Sequence, residues 1–212
     1  RFVPHAFSPK YPDPDCPPHF YANGRNAQFP YFARLMRYTQ RVCHVLASGV
    51  HQADFAVLYA CEGEWAGGGR MLMQKIAHEL ATHQLDYDFL PADALDGCAV
   101  RAGRLACNSE TYAALICPWS EYLPRPLLER LSTLAEAGLP VVFADALPQK
   151  CIDGGEAAPY LTRCCAFPLE GLSAWARAAG FGRIEAASYT PNLCAYHIRR
   201  QGRSVLMLLN ED

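Results

Sequence analysis

The stretch that decides the fold is ADFAVLYA, residues 53–60. Apart from Asp54 it is apolar throughout. A strand covered by helices on both faces reads as a continuous apolar run, whereas a strand with one wet face alternates. A glycine-rich loop, residues 62–69 (EGEWAGGG), follows. A helix is then expected over 70–83, with Leu72, Ile76 and Leu80 on one stripe at helical spacing. Residues 87–90 form a second short strand. Strand, helix and strand in that order are the unit of a parallel sheet.

The pattern continues downstream. Residues 97–108 (GCAVRAGRLACN) read as a hairpin turning at Ala102-Gly103. Residues 112–117 are a third buried strand, ended by Pro118. Pro126 opens a helix whose core face is Leu127, Leu131 and Leu134, and Gly138 closes it. Residues 141–144 are a fourth strand, and 147–166 are irregular around Gly154-Gly155. Pro168 opens a last helix with Leu172, Trp175 and Ala179 inward and Gly180 as its cap. A fifth strand is expected at 184–188. Residues 193–199 and 204–210 form a hairpin around Gln201-Gly202. The expected architecture is an α/β three-layer sandwich with a mostly parallel, flavodoxin-like sheet and a terminal antiparallel hairpin.

Upstream the chain is different. Residues 1–30 hold seven of the sixteen prolines, together with Phe2, Phe7, Tyr11, Phe20, Tyr21 and Phe29. Proline at this density forbids helix and ladder hydrogen bonding. The aromatics suggest a loop that packs on something outside it. A helix over 31–47 follows, starting at Pro30 and stopping at Gly49. Phe32, Leu35, Val42 and Leu46 lie on one stripe, and Arg34, Arg37, Arg41 and His44 on another. The basic stripe reads as a solvated face or as a surface made to meet another domain. Three regions result: a Pro- and aromatic-rich loop over 1–30, a connecting helix over 31–49, and the α/β domain over 50–212.

Composition excludes several classes. The 212 residues suit one domain, and 51% hydrophobic with 19% charged residues exclude intrinsic disorder. A net charge of −2 gives no footprint for nucleic acid or an anionic membrane. No apolar run approaches the ~20 residues of a membrane-spanning helix. The ten cysteines include no CxxC pair. Cys117 and Cys194 sit in apolar runs, where a thiol behaves as a small hydrophobe. Reduced thiols in a cytoplasmic protein are therefore expected, with the neighbours Cys164 and Cys165 also reduced. No cysteine or histidine cluster has the spacing of a zinc site, so no metal is expected. The chain begins at Arg1 rather than Met, which reads as an internal piece of a longer protein.

Four places are candidates for chemistry. The loop over 62–69 precedes a helix and could offer backbone N–H groups to a phosphate. It is neither a dinucleotide fingerprint nor a P-loop, and Glu62 and Glu64 oppose an anion. Trp65 within it reads as an interface anchor. Cys117, at the end of a strand, lies where an amidotransferase-like nucleophile belongs, but Pro118 follows it where an elbow is needed. It reads as a buried structural thiol. Glu62, Glu64, Asp86 and Asp88 lie near strand ends without a paired-acid pattern. Asp86 and Asp88 are expected to guard a strand edge. Finally, FVPHAF (2–7) and PDPDCPPHFYANGRN (12–26) combine aromatics with His, Asp, Asn and Arg, the residue types of a sugar pocket.

Those two segments, followed by YFARLMRYTQRVCHVLASG (31–49) and ADFAVLY (53–59), resemble an internal stretch of large multidomain bacterial glycoside hydrolases, the α-L-rhamnosidase-like and β-galactosidase-like enzymes. Asp86-Tyr87-Asp88 with Pro91, residues 112–118 and residues 206–211 continue the resemblance. It implies that a (β/α)8 barrel upstream of Arg1 leads into a flavodoxin-like, glutamine-amidotransferase-like domain. It also implies that the catalytic acids lie in that barrel, so no catalytic residue is assigned here. His5, Tyr21, Asn23 and Arg25 are then candidates for the sugar pocket of the intact protein. The reading is a non-catalytic accessory domain of a carbohydrate-active enzyme. Its partners are the barrel and, through Trp65 or through Arg34, Arg37 and Arg41, a second copy. No cofactor, nucleic acid or membrane enters. A small-ligand-binding module and a free-standing amidotransferase-like hydrolase are the alternatives.

Overall fold

The computed structural model describes residues 29–47 and 49–210. The chain divides between Ser48 and Gly49 into two compact units. The described part of the first is helix α1, Phe29–Leu46. Its Phe32, Leu35, Val42 and Leu46 are half-buried, while Arg34, Arg37, Arg41 and His44 are exposed, as the two stripes require.

The second unit is built on five parallel strands: β2 (Phe55–Tyr59), β3 (Tyr87–Pro91), β7 (Ala114–Cys117), β9 (Val141–Ala144) and β11 (Cys165–Phe167). They lie in the order β11-β9-β7-β2-β3. Counted along the chain this is 2-1-3-4-5, the flavodoxin-like doubly wound order. Alternate residues of each strand feed two separate cores. Ala56, Leu58, Leu115, Cys117, Val141 and Phe143 face one. Phe55, Val57, Ala114, Ile116, Val142 and Ala144 face the other. The first core is covered by Leu127, Leu128, Leu131 and Leu134 of one helix, Arg125–Glu136. The second is covered by Ile76 and Leu80 of the helix Met73–Thr82 and by Leu172 and Ala176 of the helix Leu172–Ala178. With Glu62–Trp65 as α2, these three are α3 (Met73–Thr82), α4 (Arg125–Glu136) and α5 (Leu172–Ala178).

Two crossovers have no α-helix; in the one from β9 to β11 the only helical turn is 3-10, Ala158–Tyr160. Between β3 and β7 the chain forms a 3-10 turn, Ala92–Gly97, and an antiparallel meander: β4 (Ala99–Arg101), β5 (Arg104–Cys107) and β6 (Glu110–Tyr112). Leu95 and Leu105 of this segment are fully buried in the first core. The terminal hairpin pairs β12 (Leu193–Arg200) with β13 (Arg203–Asn210), and β1 (Val50–His51) adds to β12. The turns Ala102-Gly103 and Gln201-Gly202 both have positive φ at both positions, as a two-residue turn matching strand twist demands.

Several expectations need correction. The fifth parallel strand is β11, not 184–188. There the Arg177 guanidinium takes the Ile184 carbonyl at 2.8 Å, so that backbone is held by a side chain rather than by a ladder. The expected strand over 112–117 is two: Tyr112 belongs to the meander and Ala114–Cys117 to the parallel sheet. The expected loop over 62–69 begins with α2, a single helical turn. Leu72 is extended and 46% exposed because α3 starts one residue later. Ala179 is exposed, and Ala176 takes its place inward. The cysteines are not all thiols: Cys98 and Cys107, facing each other across the end of the β4–β5 hairpin, form a disulfide. Cys164 and Cys165 are free, as expected.

Candidate functional site

In doubly wound sheets ligands bind beyond the carboxyl ends of the strands, where the strand order reverses. Here that place lies between β2 and β7. A cavity of about 200 Å³ occupies it, lined by Tyr59, Cys61, Glu64, Arg70 and Pro118 among others. Glu64 and Arg70 pair across it at 2.6 Å. The glycine loop does not present free donors. The Gly67 N–H donates to the Glu64 carbonyl at 2.9 Å and the Gly68 N–H to the Gly63 carbonyl at 3.0 Å. The Gly69 N–H donates to the Glu121 carboxylate at 3.1 Å. That bond holds the exposed Glu121 carboxyl below the usual carboxylate range. A phosphate would have to displace the loop's own carbonyls and a carboxylate.

The same closure holds at the nucleophile position. Cys117 ends β7 with no exposed surface. Burial, with the nearby Cys164 thiol, pushes its pKa well above the ordinary thiol value. The thiolate is the nucleophilic form, so this sulfur is inert. Gly63 in α2 is buried, packed so closely that a Cβ there would press on the Ser120 hydroxyl and the Tyr122 carbonyl. A second hollow, about 470 Å³, opens beside the first between α2, the start of α4 and Ile152-Asp153.

The densest charged cluster lies at the opposite end of the sheet. His51 on β1 contacts Asp86 through Nε2 at 2.8 Å and Asp88 through Nδ1 at 2.9 Å. Its ring stacks on Tyr196 of β12 with centroids 4.1 Å apart. The Tyr112 hydroxyl donates to Asp88 at 3.1 Å. Burial alone would lower the imidazole pKa, but the hydrogen bonds and charges of Asp86 and Asp88 outweigh it and push it up to about 9. Both ring nitrogens face carboxylate oxygens, so both carry protons. An imidazolium held this way has no lone pair to act as a base. Burial, then the Asp88 charge, pushes the Tyr112 phenol up as well. Asp86 and Asp88 therefore do not merely guard an edge. They are the anionic jaws that hold His51, and His51 fastens β1 and β12 to the start of β3.

No model of a known protein family matches the sequence, and no curated protein matches it. A solved structure does share the fold. It is the apo exo-carrageenase GH42 from Bacteroides ovatus, 10% identical over 86% of this chain, with a TM-score of 0.52. The chain spans about 25% of that protein's length. The alpha-L-fucosidase isoenzyme 2 from Paenibacillus thiaminolyticus aligns over 60% of this chain and 18% of its own, with 16% identity and a TM-score of 0.43. At these identities the likeness to the exo-carrageenase is one of fold.

The candidates divide clearly. Trp65 is 77% exposed. Arg34, Arg37 and Arg41 are exposed on α1. His5, Tyr21, Asn23 and Arg25 lie outside the described residues. Among the described residues no group of three or more His, Cys, Asp or Glu is placed to hold a metal ion, and no helix is long and apolar enough to cross a membrane. Sequence reasoning missed His51, Tyr112 and Tyr196. The Asp86-x-Asp88 spacing, which puts two carboxylates on one face of a strand, was the local signal available. Nothing local ties it to His51.

Proposed function

We propose that this chain is a non-catalytic accessory domain of a carbohydrate-active glycoside hydrolase, joined to a catalytic barrel of the same protein. The observation that carries the non-catalytic part is the closed carboxyl edge of the sheet. There the Cys117 thiol is fully buried and protonated, and the Gly67, Gly68 and Gly69 N–H groups are already bonded. The imidazolium at the other edge has no base to offer. The carbohydrate context is supported by the fold likeness to a quarter-length portion of the exo-carrageenase and by the resemblance of residues 2–59 to the barrel junction of β-galactosidase-like enzymes. The domain's work is then to brace or complete the barrel, with His5, Tyr21, Asn23 and Arg25 contributing to its sugar pocket. Arg34, Arg37 and Arg41 form its docking face toward the barrel or a second copy, since arginine is among the residues that dominate interfaces.

The test is hydrolysis by the chain alone. Assayed against a panel of nitrophenyl glycosides and κ-carrageenan oligosaccharides, it should release no product. Turnover abolished by a single carboxylate substitution would overturn the reading. Sedimentation of the chain with Arg37→Glu tests the docking face separately.

A further inference from the structure

Trp65 has the highest exposure of the large apolar side chains among the described residues, 77%. It does not stand alone. Its indole shares the hollow of about 470 Å³ with Pro124, Pro126 and Ile152, and Ile152 is itself 40% exposed. That volume falls in the ~300–1,000 Å³ range of small-molecule sites, which are mostly apolar with a few convergent polar groups. The polar groups here are Glu62, Arg125 and Asp153.

Their pairing narrows the ligand. Every nitrogen of the Arg125 guanidinium is engaged: Nε with Asp153, Nη1 with the Tyr160 hydroxyl and Nη2 with the Gly154 carbonyl, each at 2.9 Å. Its charge is answered by Asp153, and three of its five N–H donors are already engaged. Glu62 brings an unanswered negative charge, and its Oε2 is buried without a hydrogen-bond partner. An anion is therefore opposed. A purely apolar ligand is disfavoured too, because it would strip water from the exposed Asp153 carboxylate and offer Glu62 no donor. What remains is an uncharged ring with an apolar C–H face and a rim of hydroxyl donors.

Resting on the carbohydrate reading above, we infer that the Trp65 hollow is a binding subsite for a neutral pyranose of a glycan chain, its ring face on the indole and its hydroxyls donating to Glu62 and Asp153. The site lies on the carboxyl side of the sheet yet needs no reactive group. It would hold a glycan without cleaving it.

Tryptophan emission of the intact chain is titrated with maltoheptaose, galactotetraose and mannohexaose as neutral probes and with a κ-carrageenan tetrasaccharide as the anionic one. Trp119 and Trp175 are half-buried, so an exposed-indole signal reports Trp65. At least one neutral probe should quench saturably. Trp65→Ala should abolish the change while circular dichroism stays native. Glu62→Gln should weaken binding about tenfold, since charge-assisted hydrogen bonds are lost. The carrageenan fragment should bind at least about tenfold more weakly than the best neutral probe. The inference is overturned if no neutral probe saturates, if quenching survives in Trp65→Ala, or if the sulfated probe binds more tightly. The measurement involves no hydrolysis. Failure to bind leaves the accessory-domain reading standing, and turnover by the chain would leave the subsite standing.

Discussion

The two ends of the parallel sheet are built on opposite plans. At the carboxyl end, where doubly wound folds put their chemistry, polar groups are mostly paired locally: the Gly67 and Gly68 N–H groups with neighbouring carbonyls and Glu64 with Arg70, with Gly69–Glu121 the long-range exception. At the amino end, groups far apart in sequence converge on one buried cation, His51. Local pairing closes a site cheaply and leaves little to disturb. Long-range convergence ties elements together and is costly to break. Charge density alone is thus a poor guide to function in this fold. The richest cluster is a fastening, and the quiet end carries the hollows.

The comparison breaks first at His51. Replacing it with Leu leaves Asp86 and Asp88 facing each other without their cation. With side chains 24% and 34% exposed, the two carboxylates are partly relieved by water. Urea unfolding should still show a loss of about 2–4 kcal/mol. A loss below about 0.5 kcal/mol, the scale of an ordinary surface change, would mean the cluster fastens nothing.

A pH series sharpens the same point. The folded pKa of His51, about 9, is raised above the unfolded value. Its stabilisation is therefore complete below the unfolded pKa and is lost as pH rises toward and through 9. Unfolding free energy should fall by about 2 kcal/mol between pH 6.5 and pH 9. In His51→Leu that decline should disappear. A parent protein whose stability is flat over the window would contradict the clamp.

At the carboxyl end smaller effects are expected. Gly63→Ala forces a methyl against Ser120 and the Tyr122 carbonyl. It should cost about 1 kcal/mol, or somewhat more if the backbone at Ser120 and Tyr122 cannot yield. Alkylation is the smallest test, because the expected result is no change. Iodoacetamide should label the exposed Cys43 and Cys165 in the native protein and spare Cys117 until unfolding. Labelling of Cys117 at the rate of Cys165 would show an accessible thiol and reopen the nucleophile question.

Legibility in the sequence followed the same division. Elements with a local signature were readable. ADFAVLYA and 141–144 are continuous apolar runs, and Gln201-Gly202 is a two-residue turn between long strands. β11 was hidden because Cys165 and Ala166 are exposed on an edge strand with no alternation to read. Residues 184–188 looked like a strand, but no ladder partner reaches them, and partners are invisible in one chain. The disulfide was missed for a related reason. The hairpin itself sets Cys98 opposite Cys107, a juxtaposition that neither compartment nor sequence spacing signals. The His51 cluster could not be assembled from sequence at all, because β1, β3, β6 and β12 meet only after the fold has formed.

β1 pairs only with β12, which follows every strand of the parallel sheet in the chain. At ~5–20 residues per second, synthesis keeps His51 waiting many seconds for Tyr196 and its ladder partners. All five parallel strands have left the ribosome by then. A nascent chain that pauses before Leu193 has a sheet to fold but no latch, and β3 lies at that sheet's edge. Unlatched edges invite pairing with a neighbouring chain. In the interval between emergence of β11 and of β12 the β3 edge lacks the His51 fastening as well as a ladder partner.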